Sequence, residues 1–372
     1  MSNRWKGGFI QAYFDPLTVD PGNTALYAWG QNLDGTLGDN TIIDRSSPVQ
    51  VGADLNWASA ETGDSSTLAI KTDGTLWGWG LNSRGQLGLN DKTPRSSAVQ
   101  VGSNTDWYEV SVNRQALAIK TDGSLWAWGS SAYGEVGDNA TGYRSSPVQV
   151  GALTTWSQVS AGQLSSAALK DDGSLWVWGR NDIGQLGINN TVYRSSPVQV
   201  GASNWAKMSS GGNFVVAITT AGRMYSWGDP GLGKLGLNSG VYRSSPVQIG
   251  SLTTWSEVSA MSVNAFAIKT DGTLWGWGYN VNGTVGDGTA TTKSSPVQIG
   301  ALTNWSKVAA GNETSIALKT DGTLWSWGRG LYGTNATNSI INYSSPVQVG
   351  SLNSWIYISK GNAQFFAIAE TS

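Results

Sequence analysis

A Trp-Gly dipeptide recurs seven times in this chain, at Trp29, Trp79, Trp128, Trp178, Trp227, Trp277 and Trp327, spaced 49 or 50 residues apart. A fixed period of that length implies supersecondary units that cannot bury their apolar faces alone and must stack. A second series, Trp57, Trp107, Trp156, Trp205, Trp255, Trp305 and Trp355, keeps the same spacing. The copy from Trp156 to Gly201 reads as four short strands, at 157–161, 167–170, 175–178 and 197–200. Asp172-Gly173 supplies a tight hairpin between the second and third, glycine tolerating positive φ. Pro197 cannot donate to a ladder, so it is expected at the start of an edge strand.

Six complete units start at Trp57, Trp107, Trp156, Trp205, Trp255 and Trp305. The remainder is split. Residues 355–369 carry two strands and residues 26–52 carry the other two. The expectation is an all-β, seven-bladed β-propeller of four-stranded blades over residues 24–372, its closing blade built from 24–52 plus 353–370. Closure of this kind removes the open edges of a linear stack. Residues 1–23 lie outside the repeat as a separate N-terminal arm.

Composition narrows the chemistry. The chain of 372 residues has no His and no Cys, 13% charged residues and a net charge of -2. That balance makes no electrostatic case for nucleic acid or an anionic membrane. No 18-residue apolar run is present to span a bilayer, and no cationic start followed by an apolar stretch marks a signal peptide. Ser-His and Cys-His catalytic devices are absent, as are thiolate and imidazole metal sites. The sequence therefore predicts a soluble protein that is not an enzyme and holds no cofactor or metal. An Asn/Asp loop such as 32–39 has the composition of a weak calcium loop at most.

Other motifs read as architecture. Gly231-Leu232-Gly233-Lys234-Leu235-Gly236 matches the dinucleotide pattern GxGxxG, but it sits between two strands with no helix after it. Asp73, Asp122, Asp172, Asp271 and Asp321 occupy one turn in five blades and read as hairpin chemistry. Asp171 beside Asp172 is a pair in sequence only, and no carboxylate in these sets points to a raised pKa.

The pattern Val-Ser-Ala-Gly, then Ala-Leu-Lys-x-Asp-Gly-x-Leu-Trp-x-Trp-Gly, Gly-Gln-Leu-Gly and Ser-Ser-Pro-Val-Gln-Val-Gly closely resembles the repeat of the regulator of chromosome condensation (RCC1-type) family. The resemblance covers residues 24 to 370 and implies a seven-bladed propeller. Functions in that family range from nucleotide exchange on a small GTPase to inhibition of a β-lactamase, and fold does not imply function. Where the family often has His after the first hairpin, this chain has Ser66, Ala116, Ser165, Phe214, Asn264, Thr314 and Gln364. Even intervals leave no room for the exchange factor's wedge insertion.

The copies differ most in the loops joining strands one and two and strands three and four, which alternating strand direction places on one face. Variable loops on a rigid scaffold are the expected design of a binding module. Candidate contacts there are Arg84, Arg114, Tyr133 and Tyr332, together with Tyr143-Arg144, Tyr193-Arg194 and Tyr242-Arg243 on successive blades. These three arginines belong to a ring of cations, Arg45, Arg95, Arg144, Arg194, Arg243 and Lys293, that ends at Tyr343. Tyr and Arg are enriched at interaction hot spots.

The arm carries Trp5, Phe9, Ile10, Tyr13 and Phe14, too apolar for a plain disordered tail, and enters on the opposite face. Its opening, Arg-Trp-Lys-Gly-Gly-Phe-Ile, is similar to the starts of some structural proteins of marine bacteriophages. The leading expectation is a protein-interaction propeller anchored by this arm among the subunits of a larger assembly, as an accessory, decoration or host-contact protein of a virion. The alternatives are a soluble protein-binding inhibitor or scaffold, and a carbohydrate-binding module for a host-surface glycan.

Overall fold

The computed structural model describes residues 23–359 and 361–371. Seven four-stranded antiparallel sheets are arranged around an axis as blades. Blade 1 runs from the innermost strand outward as Trp57–Gly63, Ser66–Lys71, Leu76–Gly80 and Arg95–Gln100. Blades 2 to 6 repeat it from Trp107, Trp156, Trp205, Trp255 and Trp305. Blade 7 joins Trp355–Ile358 and Gln364–Glu370 to Thr24–Gly30 and Arg45–Gln50. Its stitch is in-register from Thr24 opposite Glu370 to Gly30 opposite Gln364. The ends of the ring therefore meet, as the split repeat predicts.

The Trp-Gly tryptophans are wholly buried between blades. Six of their indole nitrogens donate to a carbonyl in the preceding blade's outer loop. Trp79 reaches Thr36 at 2.8 Å, Trp128 reaches Gln86 at 2.9 Å and Trp178 reaches Glu135 at 2.7 Å. The Gly-x-Leu-Gly motif makes that approach possible. A Cβ on Gly38 would lie 2.6 Å from the Trp79 indole nitrogen, and Gly38 has φ of +72°. Only glycine satisfies both conditions cheaply.

Closer to the axis, serine hydroxyls tie neighbouring innermost strands together. The Ser111 hydroxyl accepts from Ala161 N at 3.0 Å, Ser160 from Ser210 N at 2.9 Å, Ser209 from Ala260 N at 2.9 Å and Ser259 from Ala310 N at 2.9 Å. Backbone donors facing the next blade are thus satisfied without a continuous sheet. This explains the serine of the recurring Val-Ser-Ala.

The second tryptophan series forms a different device. Lys71 sits 4.9 Å from the Trp57 ring and 4.0 Å from the Trp77 ring, and Lys120, Lys170, Lys269 and Lys319 repeat the arrangement. The Asp-Gly turn holds the outer ring of each pair. Asp73 accepts from Thr75 N and Oγ1, and Thr75 Oγ1 accepts from Trp77 Nε1 at 2.8 Å. The five aspartates are accordingly turn residues.

Two strand boundaries change in detail. The outermost strand of blade 3 starts at Arg194, not 197. Pro197 lies inside it, in the irregular stretch between the Gly179–Arg194 and Val177–Val198 pairs, where no ladder donor is needed. The second strand starts at Ser165 rather than 167. The glycine-rich stretch at 231–236 contains a single 3-10 turn, Gly231–Gly233, with Leu232 at φ 60°. Lys234 there pairs with Asp229 at 2.7 Å instead of facing open space.

Candidate functional site

The two variable loops of each blade do lie on one face, and Asp64 shows how they connect. It ends the first hairpin of blade 1 with φ of 43° and takes Arg84 of its own outer loop at 3.4 Å and Arg114 of blade 2 at 3.1 Å. Both arginines are thereby committed to one carboxylate. Both stay partly exposed on the face where the sequence places them, and there they brace adjacent blades through Asp64.

The ring of cations divides into two classes. Arg45 pairs with Asp39 at 2.6 Å, Arg95 with Asp91 at 2.6 Å, Arg144 with Asp138 at 2.7 Å and Lys293 with Asp287 at 2.9 Å. Around Asp39, burial pushes the carboxyl up, but hydrogen bonds from Thr41 and Arg45 and the Arg45 charge outweigh it and hold it low. The Asn32–Asp39 loop thus engages its Asp39 carboxylate internally: Asn32 Nδ2 also donates to Asp39, at 3.0 Å.

Arg194 and Arg243 have no carboxylate partner among the described residues, and the buried Nε of each has no hydrogen-bond acceptor. The cause is local sequence. Ile188 and Leu237 stand where Asp39, Asp138 and Asp287 stand in other blades, and Asn190 stands where blade 1 has Asp91.

These two arginines sit among exposed apolar and aromatic groups. Val192 is 55% exposed, Tyr193 44%, Val241 56% and Tyr242 57%. Tyr193 packs edge-on against Tyr133 of blade 2 at 5.3 Å. Arg180 covers Tyr133 at 5.7 Å while paired to Asp182 at 2.5 Å. Tyr143 of blade 2, half exposed, lies under Lys92 of blade 1 at 4.9 Å. Exposed Tyr and partly exposed Arg side chains thus recur on the rim of the successive blades 2, 3 and 4. Tyr332, on the 3-10 turn Leu331–Gly333 of blade 6, is separated from them by blade 5. Trp5, Phe9, Ile10, Tyr13 and Phe14 lie outside the described residues.

A second feature lies on the axis, and sequence reasoning missed it. Two residues after each tryptophan of the innermost strands, side chains point into the central channel. They are Ser59, Glu109, Gln158, Lys207, Glu257, Lys307 and Tyr357, and they line a cavity of about 460 Å³. The flanking Trp and Ser positions repeat while this one takes five residue types in seven blades, and that contrast was the available signal.

Lys207 is ion-paired with Glu257, and the Tyr357 hydroxyl donates to Glu61 at 2.7 Å. Glu109 accepts from Val159 N at 3.0 Å. Its surface is only partly covered because it opens on the cavity, yet the ring encloses it. Burial pushes its carboxyl up to about 8; the Val159 N–H bond opposes this and the Glu61 charge adds to it. Glu135, at the outer loop of blade 2, is also raised by burial, against a hydrogen bond from Tyr133 N. Neither shift is legible in the sequence, because burial is not visible in a turn-like or strand-like context.

Among the described residues no group of three or more carboxylates stands ready to hold a metal ion, and no helix is long and apolar enough to cross a membrane.

The model of the RCC1-like domain matches residues 17–305 and, in a second overlapping alignment, 113–372. The chain belongs to the RCC1-like domain family. Among solved structures, this RCC1-like chain is similar to human WBSCR16 at 20% identity, with TM-score 0.84, covering 94% of this chain and 99% of that one. It is similar to Prp20p from Saccharomyces cerevisiae at 19% identity and TM-score 0.85, covering 96% and 94%; that structure is described together with the binding of Prp20p to Gsp1p and histones. Yeast Prp20 bound to Kap60 matches at 17% identity and TM-score 0.82, covering 100% and 96%. At these identities the likeness establishes the RCC1-like fold. Among curated proteins, none matches the sequence.

Proposed function

We propose that this RCC1-like propeller is a non-enzymatic protein-binding scaffold whose contact surface is the rim sector over blades 2 to 4. The observation that carries the reading is the pair Arg194 and Arg243. The paired members of the cation ring are neutralised by an aspartate of their own blade, whereas these two keep unmatched guanidinium groups beside exposed Tyr193 and Tyr242. Aromatic and arginine side chains grouped on a rigid support are the composition of an interface hot spot.

Family membership supports the scaffold expectation ahead of a virion accessory, as do the protein partners named for Prp20. A protein that recognises this sector would present carboxylates for Arg194 and Arg243 and apolar groups for Val192 and Val241.

The test places a photo-crosslinking amino acid at Tyr193 or Tyr242, and at Leu252 or Leu302 on the opposite face, within cells that make the protein. One protein captured from the first pair alone, whose purified form binds at least ten-fold more weakly when Tyr193, Arg194, Tyr242 and Arg243 are all changed to alanine, is the expected result. Equal capture from both faces, or unchanged affinity, overturns the assignment. Glycan binding lost on changing Tyr143, Tyr193 and Tyr242 would favour the carbohydrate module instead.

A further inference from the structure

The axial channel poses a physical question that the scaffold role leaves unanswered. Taking charges out of water costs several kcal/mol each unless they are paired, and nothing in the propeller architecture requires charge at the channel position: Ser59 and Gln158 fill it in two blades. Yet the channel holds Glu61, Glu109, Glu257, Lys207 and Lys307.

Their arrangement around the axis is not random in sign. Glu61 and Glu109 belong to adjacent blades 1 and 2. Lys207 and Lys307 belong to blades 4 and 6, on either side of Glu257 in blade 5. In a ring of seven, blade 2 faces the gap between blades 5 and 6. One wall of the cavity is therefore acidic and the opposite wall carries ammonium groups. Glu257 is engaged by Lys207, and Glu61 by the Tyr357 hydroxyl. Glu109 uses Val159 N alone among the described residues, so its carboxylate retains acceptor capacity toward the cavity.

We infer that the channel is a binding site for a small zwitterion, a free α-amino acid or a dipeptide, with its ammonium on Glu109 beside Glu61 and its carboxylate toward Lys307. A cavity of about 460 Å³ falls within the usual range for small-ligand pockets and is large enough for a dipeptide. The site is independent of the rim sector, since none of its residues reaches the variable loops.

Protonation gives the site a signature. Glu109 holds its proton near neutrality, because burial lifts its carboxyl to about 8. Among the described residues, the titratable groups facing the same space are Glu61, Tyr108, Lys207, Glu257, Lys307 and Tyr357. An incoming ammonium ionises Glu109, so binding releases a proton to the buffer.

Isothermal titration calorimetry on the full chain tests this with L-alanine and alanyl-alanine as whole ligands, and methylammonium and acetate as half ligands. At least one whole ligand is expected to bind ten-fold or more tightly than either half ligand, with a heat at pH 7 that depends on the buffer's ionisation enthalpy. Glu109→Gln is expected to weaken binding at least ten-fold and to remove the proton release, and Lys307→Met to weaken binding at least ten-fold while a proton is still released. Near-ultraviolet circular dichroism of the tryptophans checks the fold of each variant. Should Glu109→Gln fail to fold, Glu109→Asp keeps the charge but withdraws it from the cavity and must weaken binding likewise. No binding by either whole ligand, half ligands as tight as whole ones, or variants that bind like the parent overturns the assignment.

Discussion

The indole nitrogen of Trp79 donates to the carbonyl oxygen of Thr36 at 2.8 Å, joining blade 1 to the outer loop of blade 7. That one bond crosses the seam beside the stitched blade and repeats at five other blade boundaries. Trp227 is the exception: its buried nitrogen has no acceptor among the described residues. The hydrogen bond and the burial of the ring can therefore be separated.

Trp79→Phe is expected to cost about 1 to 2 kcal/mol more than Trp227→Phe, because only the first removes a made hydrogen bond. Both lose similar apolar surface. Urea unfolding of the two variants side by side measures the difference. Equal losses would mean that the indole bond adds nothing to ring cohesion.

At the same contact, Gly38→Ala places a methyl group 2.6 Å from the Trp79 nitrogen at a backbone φ of +72°. Overpacking and left-handed strain combine, and the expected destabilisation is about 2 kcal/mol or more. Gly52→Ala has comparable φ, +65°, with no described residue within 4 Å of its added methyl. Comparing their melting temperatures isolates the steric part.

Blade 4, like blade 7 with Ala369, lacks the lysine that five blades lay on their aromatic pairs. Thr219 occupies its place, although Trp205 and Tyr225 already stand edge to face at 5.5 Å. Thr219→Lys is expected to raise stability by about 0.5 to 1 kcal/mol through a cation–π contact. Lys269→Met, which removes a contact of 3.7 Å to Trp275, should lower it by a similar amount. Thermal denaturation of both variants is the check.

Glu109 makes stability fall with rising pH. Its folded carboxyl is raised to about 8 from an ordinary 4.5, so between those values the unfolded chain binds fewer protons than the folded one, and folding weakens as pH increases. Glu109→Gln should abolish that decline, which is on the order of a few kcal/mol across the window. Unfolding free energies of parent and variant at pH 5 and pH 8 test the sign, and parallel profiles would refute it.

Glu135 replaces a glutamine that blades 1 and 3 use to receive a backbone N–H. Gln86 accepts from Arg84 N at 2.8 Å and Gln185 from Ile183 N at 3.0 Å, as Glu135 accepts from Tyr133 N at 2.7 Å. Burial raises the Glu135 carboxyl, so Glu135→Gln keeps the hydrogen bond and removes the penalty. A gain of about 1 kcal/mol at pH 8, smaller at pH 5, is expected by chemical denaturation.

What the sequence determined by itself was the ring. Trp-Gly spacing, Asp-Gly turns and a repeat split between the two ends depend on local periodicity, and each leads to closure without knowledge of any distance. It also placed Tyr193-Arg194 and Tyr242-Arg243 on one face, because strand direction alternates. Tertiary structure decided which cations are spent. Arg84 and Arg114 converge on Asp64 from two blades, while Arg194 and Arg243 lack an acid among the described residues because Ile188 and Leu237 fill the position from which other blades supply one. The channel was decided in the same way. Glu61, Glu109 and Lys307 are far apart in the chain and look like ordinary polar strand residues, and only the closing of seven blades around an axis gathers them into one cavity and withdraws them from water.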